Sequence, residues 1–129
     1  MASNYGAEGT FCDDKTTLDL ADDAANANWG GSWRMPTKAE FDALASGTKA
    51  WDSTKKGYTF GTSPNTIFLP AAGYGTGTGL YDAGYGRYWS SSLDTDEPSC
   101  AYCLNFYDGG AGTNYDYRCL GRSVRALSE

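Results

Sequence analysis

The chain has 129 residues, 40% of them hydrophobic and 15% aromatic, which fits one globular domain spanning 1–129 and excludes a disordered chain. Ten Lys and Arg stand against 16 Asp and Glu with no His, so the net charge of −6 argues against a nucleic-acid or anionic-membrane partner. No apolar run approaches the roughly 20 residues of a membrane span, and Met1-Ala2-Ser3-Asn4 lacks the basic and apolar regions of a signal peptide, so neither is expected.

Residues 1–17 are polar and Gly-bearing, and read as an extended arm or first strand anchored by Tyr5 and Phe11. From Asp19 the pattern turns helical. Asp19 can cap, Asp22 and Asp23 lie near the positive helix N-terminus, and Gly30 is the stop. Leu20, Ala24 and Ala27 at i, i+4, i+7 are predicted to face the core. Thr37-Lys38-Ala39-Glu40 is a capping box, so a second helix starts at Lys38 and ends at Gly47. It is predicted to bury Phe41, Leu44 and Ala45 and to expose Lys38, Asp42 and Lys49.

Residues 51–56 read as a loop before a short strand at Tyr58-Thr59-Phe60. Ile67-Phe68-Leu69-Pro70 is a second strand, halted by its proline. The Gly-rich stretch 71–86 is long for a connection in a compact domain, and such loops are usually functional or packed excursions. Strands follow at 88–92, 101–106 and 123–127. In the middle one Tyr102, Leu104 and Phe106 share one face, with Ala101, Cys103 and Asn105 on the other. Two helices followed by an antiparallel sheet make an α+β domain with long Gly-rich loops. One core is expected from Leu20, Trp29, Trp33, Phe41, Leu44, Ile67, Leu69, Trp89, Leu104, Phe106 and Val124.

The last third has a different texture. A frame of Tyr88-Trp89-Ser90-Ser91-Ser92, Leu104-Asn105-Phe106, Gly121 and Ser123-Val124-Arg125 alternates with positions that look arbitrarily filled. Those positions are Asp94, Asp96, Ser99, Cys100, Cys103, Tyr107, Asp108, Gly110, Gly112, Tyr115, Asp116, Tyr117, Cys119, Leu120 and Arg122. Each can arise by changing only the two adenines of an asparagine codon. Lys, Met, Gln and Trp cannot, and none occurs after Trp89. The pattern is that of a mutagenised, ligand-binding surface (about 87–127) on a fixed scaffold (about 1–86). Glu97 departs from it and fits a fixed residue or a lysine codon. Tyr gives contact area at low entropy cost while Gly, Ser and Asp adapt, so Tyr107, Tyr115 and Tyr117 are the expected energetic centre.

Other chemistries fit less well. Cys100 and Cys103 form a CxxC, but without His only Cys12 and Cys119 remain to complete a zinc site, so no metal and no cofactor are expected. Asp94, Asp96 and Glu97 can be drawn as a cation site, although a solvated acidic loop is the simpler reading. The lack of His removes a hydrolase triad in its usual form, and no carboxylate spacing defines a glycosidase pair. Trp29, Trp33, Trp89 and Arg125 read as scaffold, with Arg34 and Arg125 tying loops through hydrogen bonds. The expectation is a binding protein and not an enzyme.

Several motifs carry a family likeness. Asp22-Asp23-Ala24-Ala25, the run from Asn28 to Thr37 with Glu40, Ile67-Phe68-Leu69-Pro70-Ala71-Ala72-Gly73, Tyr88-Trp89-Ser90-Ser91-Ser92 and Gly121-Arg122-Ser123-Val124-Arg125 closely resemble the Fibrobacter succinogenes major paralogous domain. That family is similar in turn to C-type lectin-like domains and to the formylglycine-generating enzyme. The resemblance covers about 18–127. It implies a C-type lectin fold of two helices on a small antiparallel sheet, with the chain ends close together. It also implies a variable protein of a diversity-generating retroelement, displayed on a virion or cell surface. The ligand would be an unidentified protein or surface molecule bound by the varied side chains. Glu97-Pro98-Ser99 resembles the Glu-Pro-Asn of sugar-binding lectins, but Ser replaces Asn and the Trp-Asn-Asp expected after it is absent. The paired cysteines of the formylglycine-generating enzyme do not carry over, because Cys100 and Cys103 occupy varied positions. A non-diversified cell-surface binding domain of the same family is the alternative, and an enzyme of the formylglycine-generating type a more distant one.

Overall fold

The computed structural model describes residues 15–128. The expected anchors Tyr5 and Phe11, and Cys12, lie outside them. In chain order the elements are α1 (Ala24–Trp29), β1 (Trp33–Arg34), α2 (Lys38–Ser46), β2 (Lys49–Asp52), β3 (Gly57–Thr62), β4 (Asn65–Pro70), β5 (Tyr74–Thr76), β6 (Gly79–Tyr81), β7 (Gly86–Leu93), β8 (Cys100–Tyr107), β9 (Gly110–Tyr117) and β10 (Leu127–Ser128). Every strand pairing between these elements is antiparallel, in the orders β2-β3-β4, β7-β8-β9, β5-β6 and β1-β10. The class is α+β.

Helix α1 begins later than predicted. Asp19 to Asp22 form a turn, and the cap is Asp23, whose carboxylate accepts from Ala25 N and Asn26 N and also from Met35 N at 2.8 Å. A carboxylate that ties the helix to the following segment outcompetes one that serves the helix alone. The shift rotates the buried face: Ala25 is inside, while Leu20, Ala24 and Ala27 are exposed. Gly30 is the stop, at φ 67, where a side chain would be strained. Helix α2 has the predicted limits. Thr37 and Glu40 cap each other's backbone N–H, and Arg34 grips Glu40 through two bonds of 2.8 Å.

The main core lies between α2, the β2–β4 sheet and one face of the β7–β9 sheet. It joins Phe41, Ala45, Tyr58, Phe60, Leu69, Ala71, Tyr88, Leu104 and Phe106. Phe106 is its hub, with ring centroids of Tyr58, Phe60 and Tyr88 at 5.7, 5.8 and 5.9 Å. A smaller cluster of Ala25, Met35 and Ala126, with Leu18 and Trp89 against it, covers part of the other face. The single-core expectation is therefore corrected. Leu20, Trp29, Trp33 and Val124 are exposed, and Tyr58, Phe60, Tyr88 and Met35 replace them.

Three further expectations change. Residues 51–56 are not all loop, since Trp51 and Asp52 end β2 opposite Tyr58 and Gly57. The 71–86 connection contains the β5–β6 hairpin. The strand predicted over 123–127 reduces to a bridge at Ser123 and the short β10.

Candidate functional site

Register assigns each paired side chain of the β7–β8–β9 sheet to a face, because directly opposed residues point the same way. Tyr88 pairs with Leu104, Leu104 with Thr113 and Phe106 with Ala111, and these face α2. Arg87 pairs with Asn105, Trp89 with Cys103, Cys103 with Asn114, Asn105 with Gly112 and Tyr107 with Gly110. These form the opposite face, the candidate site. The Cys103 side matches the alternation read from sequence.

The segment after β9 closes over that face. Gly121 and Gly75 exchange backbone hydrogen bonds of 2.6 and 2.7 Å, and Ser123 N donates to Arg87 O at 3.1 Å. Trp89 Nε1 donates to Leu120 O at 3.2 Å. Arg122 is thereby laid across the sheet, its guanidinium 4.6 Å from the Trp89 ring centroid. Its Nη1 donates to Cys103 Sγ at 2.9 Å and to Asn105 Oδ1 at 3.2 Å, while Nη2 pairs with Asp116. The Arg122 side chain is fully buried.

Beside this network an open depression of about 520 Å³ is lined by Tyr85, Arg87, Asn105, Tyr107, Gly112 and Asn114 among others. Tyr85 and Tyr107 are both exposed, with ring centroids 5.5 Å apart. Arg87 is held by Asp82 at 2.7 Å and lies over the Tyr74 and Tyr85 rings. A tilted aromatic pair edged by amides, a guanidinium and bare backbone suits contact with another molecule. Tyr85, Arg87, Asn105 and Asn114 had not been singled out as site residues. Their signal was the alternation Tyr85, Arg87, Trp89, which puts three large side chains on the face shared with Asn105.

The fifteen varied-looking residues divide by exposure. Asp96, Ser99, Tyr107, Asp108, Tyr115, Tyr117 and Cys119 are exposed, and Gly110, Gly112, Asp116 and Leu120 are half-buried. Cys103 and the Arg122 side chain, expected to be accessible, are buried, and so are Asp94 and Cys100 of the same expected ligand-binding set. Asp94 is 7% exposed because its carboxylate turns inward to accept from Asp96 N and Glu97 N. Cys103 is 0% exposed under Arg122, and burial pushes its thiol up to about 11. Burial also raises Cys100. Cys100 and Cys103 are three apart on one strand and point to opposite faces, so the CxxC does not converge on a shared ligand.

The three tyrosines do not share a face either. Tyr107 lies on the Arg122 side. Tyr115 and Tyr117 oppose Tyr102 and Cys100 and so lie on the α2 side of β9. There Tyr115 packs edge-on to Tyr102 at 6.2 Å, and Lys38 Nζ sits 5.4 Å from the Tyr102 centroid. Asp96, Ser99, Cys119 and Leu120 gather at the far end of β8 from Tyr107 and Asp108. The strand's eight residues separate the two groups by roughly 20 Å at about 3.3 Å each.

These features define an α+β domain whose C-terminal hairpin and following loop offer polar and aromatic side chains on both sides of one strand edge. The chain belongs to the family of Lcl C-terminal domains, whose model matches residues 2–126. These are C-type lectin-like domains found in variable proteins of diversity-generating retroelements, and the family is not known as enzymatic. No curated protein and no solved structure matches the chain. Among the described residues no helix is long and apolar enough to cross a membrane, and no group of three or more Cys, Asp and Glu is placed to hold a metal ion.

Proposed function

We propose that this domain is a ligand-recognition module with a C-type lectin arrangement, that a retroelement diversifies its contact surface, and that it performs no catalysis. The contact surface comprises the β8–β9 hairpin and the 94–99 and 118–122 segments, and the ligand is a protein or other surface molecule. Display on a virion or cell surface belongs to the same reading. One observation carries it: most positions reachable from asparagine codons are exposed or half-exposed, over a fixed buried layer of Tyr88, Leu104 and Phe106. A surface that must change while the fold persists needs that separation, because exposed substitutions cost little and buried ones several times more.

The burial of Cys103 and Arg122 favours a second reading, a binding domain of the same family that is not diversified, since a buried ion pair tolerates few replacements. Sequencing the encoding locus separates the two. An adenine-rich near-copy of the 3′ end beside a reverse transcriptase gene is the expected result. A locus without both leaves the undiversified binding domain.

A further inference from the structure

β9 is the outer strand of its sheet, and its hydrogen bonds show which backbone groups face outward. Arg118 N donates to Ser99 O at 2.9 Å, which makes that pair a bonded one. Antiparallel ladders alternate, so Asp116, Asn114, Gly112 and Gly110 are bonded to β8 as well. Tyr117, Tyr115, Thr113 and Ala111 therefore aim their N–H and C=O groups away from the sheet. Along half of this edge the donors are already occupied. Asn114 Oδ1 accepts from Tyr115 N at 2.9 Å and Asp116 Oδ1 from Tyr117 N at 2.8 Å. Side chains that cover edge donors are a usual defence against added strands. The defence stops at Thr113. Among the described residues, no side chain covers the outward groups of Ala111 and Thr113.

The uncovered stretch has other properties of a docking edge. Its side chains are small: Gly110, Ala111, Gly112, Thr113. A Cβ built on Gly110 or Gly112 meets nothing within 4 Å. The Thr113 hydroxyl is drawn to the α2 side by Asp42 Oδ1, 2.5 Å away. Next to the glycines lies the 520 Å³ depression with Tyr107, Tyr85 and Asn105, and Ala111 and Thr113 line it too. Glycines beside an exposed aromatic leave apolar ring surface that a side chain from a neighbouring strand can cover.

We infer that the Ala111–Thr113 edge takes up an extended peptide segment of the ligand as a fourth strand, with one large apolar or aromatic side chain lying over Gly112 against Tyr107. This rests on the reading of the domain as a ligand-recognition module. It adds that affinity comes from main-chain bonds to a short window that does not depend on the residues varied around it, while side chains on either side supply selectivity.

The test uses amide exchange and ¹⁵N chemical shifts of the whole domain. The probe is an end-capped peptide of about eight residues, alternating Thr and Val around a central Phe, titrated to the order of 1 mM. Slowed exchange at Ala111 and Thr113, with Tyr115 and Tyr117 unchanged, is expected. N-methylation of alternate peptide nitrogens, to block the β9-facing register, should weaken binding about tenfold or more. Ala111→Pro should do the same, because it deletes an outward donor and leaves the β8 ladder intact. Absence of any shift overturns the inference. So does concentration-dependent protection of the same amides without peptide, which would make a second copy the occupant. If Tyr107→Ser abolishes binding while N-methylation and Ala111→Pro do not, strand addition fails and the recognition face stands. If Tyr107→Ser also has no effect, both fail.

Discussion

Arg122 shows how one side chain can belong both to a surface and to a core. Its position between Gly121 and Ser123 carries the guanidinium onto Trp89, and its two terminal nitrogens, fixed in one plane, find Cys103, Asn105 and Asp116 within that span. Cys103 beneath it donates its S–H to Asn114 O at 3.3 Å and has no route to solvent. Thiol chemistry should report this directly. With Cys12 replaced by Ser, an Ellman titration of the folded domain at neutral pH should find one fast-reacting thiol, Cys119, the exposed one of three. Fast reaction of Cys103 would mean that Arg122 does not cover it. The raised thiol pKa also fixes a pH dependence. The folded value of about 11 exceeds the ordinary 9.0, so stability from the neutral thiol is complete below pH 9 and declines as pH rises from 9 towards 11. Tyr88, raised by burial, adds loss of the same sign above pH 10.

Among the elements, α2 was the most legible, because its signal is local. Thr37 and Glu40 sit three apart, each meets the other's backbone, and Arg34 locks the pair. The Arg34 side chain, hydrogen-bonded to Glu40, holds that carboxyl down at about 2, against an ordinary 4.5. A depressed carboxyl contributes stability above its unfolded pKa and loses it as pH falls, here from about 4.5 to 2. Glu40→Gln should therefore flatten stability across that window in acid titrations followed by circular dichroism. An unchanged acid profile would remove the Arg34 fork as its cause. Strand β9 was missed for the opposite reason. Gly110-Ala111-Gly112-Thr113-Asn114 has no apolar alternation, since an edge strand that is only half-buried at small residues has no large apolar side chain to show one. α1 failed at its start, where three aspartates compete between 19 and 23 and the distant Met35 N decides for Asp23. Trp29 and Trp33, expected in the core, are exposed. They meet edge to face at 5.3 Å in the open, as large apolar residues do where surface outruns polar cover.

Across the whole molecule, the division between a rewritten surface and a constant fold should appear as a division of stability. Tyr107, Tyr115 and Tyr117 are 48%, 53% and 59% exposed, and among the described residues only the first two have ring partners, Tyr85 and Tyr102. Losing an aromatic pair costs about 0.5–1.5 kcal/mol and an unpartnered exposed change within about 0.5 kcal/mol. Replacing all three by Ser should therefore cost about 1–3 kcal/mol and leave the domain folded. Phe106→Ala, at the hub of the aromatic core, should cost about 3–5 kcal/mol alone. Arg122→Ala breaks a pair whose Arg is fully buried but whose Asp116 is 32% exposed, so about 2–3 kcal/mol is expected, below the roughly 3–5 kcal/mol of a fully buried pair. Urea titrations of the three variants should place the single Arg122 change at or beyond the triple tyrosine change. The wide surface would then be cheap to alter at its rim and expensive at the buried Arg122. A triple variant that unfolds, or an Arg122→Ala domain as stable as its parent, would mean that the boundary between surface and scaffold runs elsewhere.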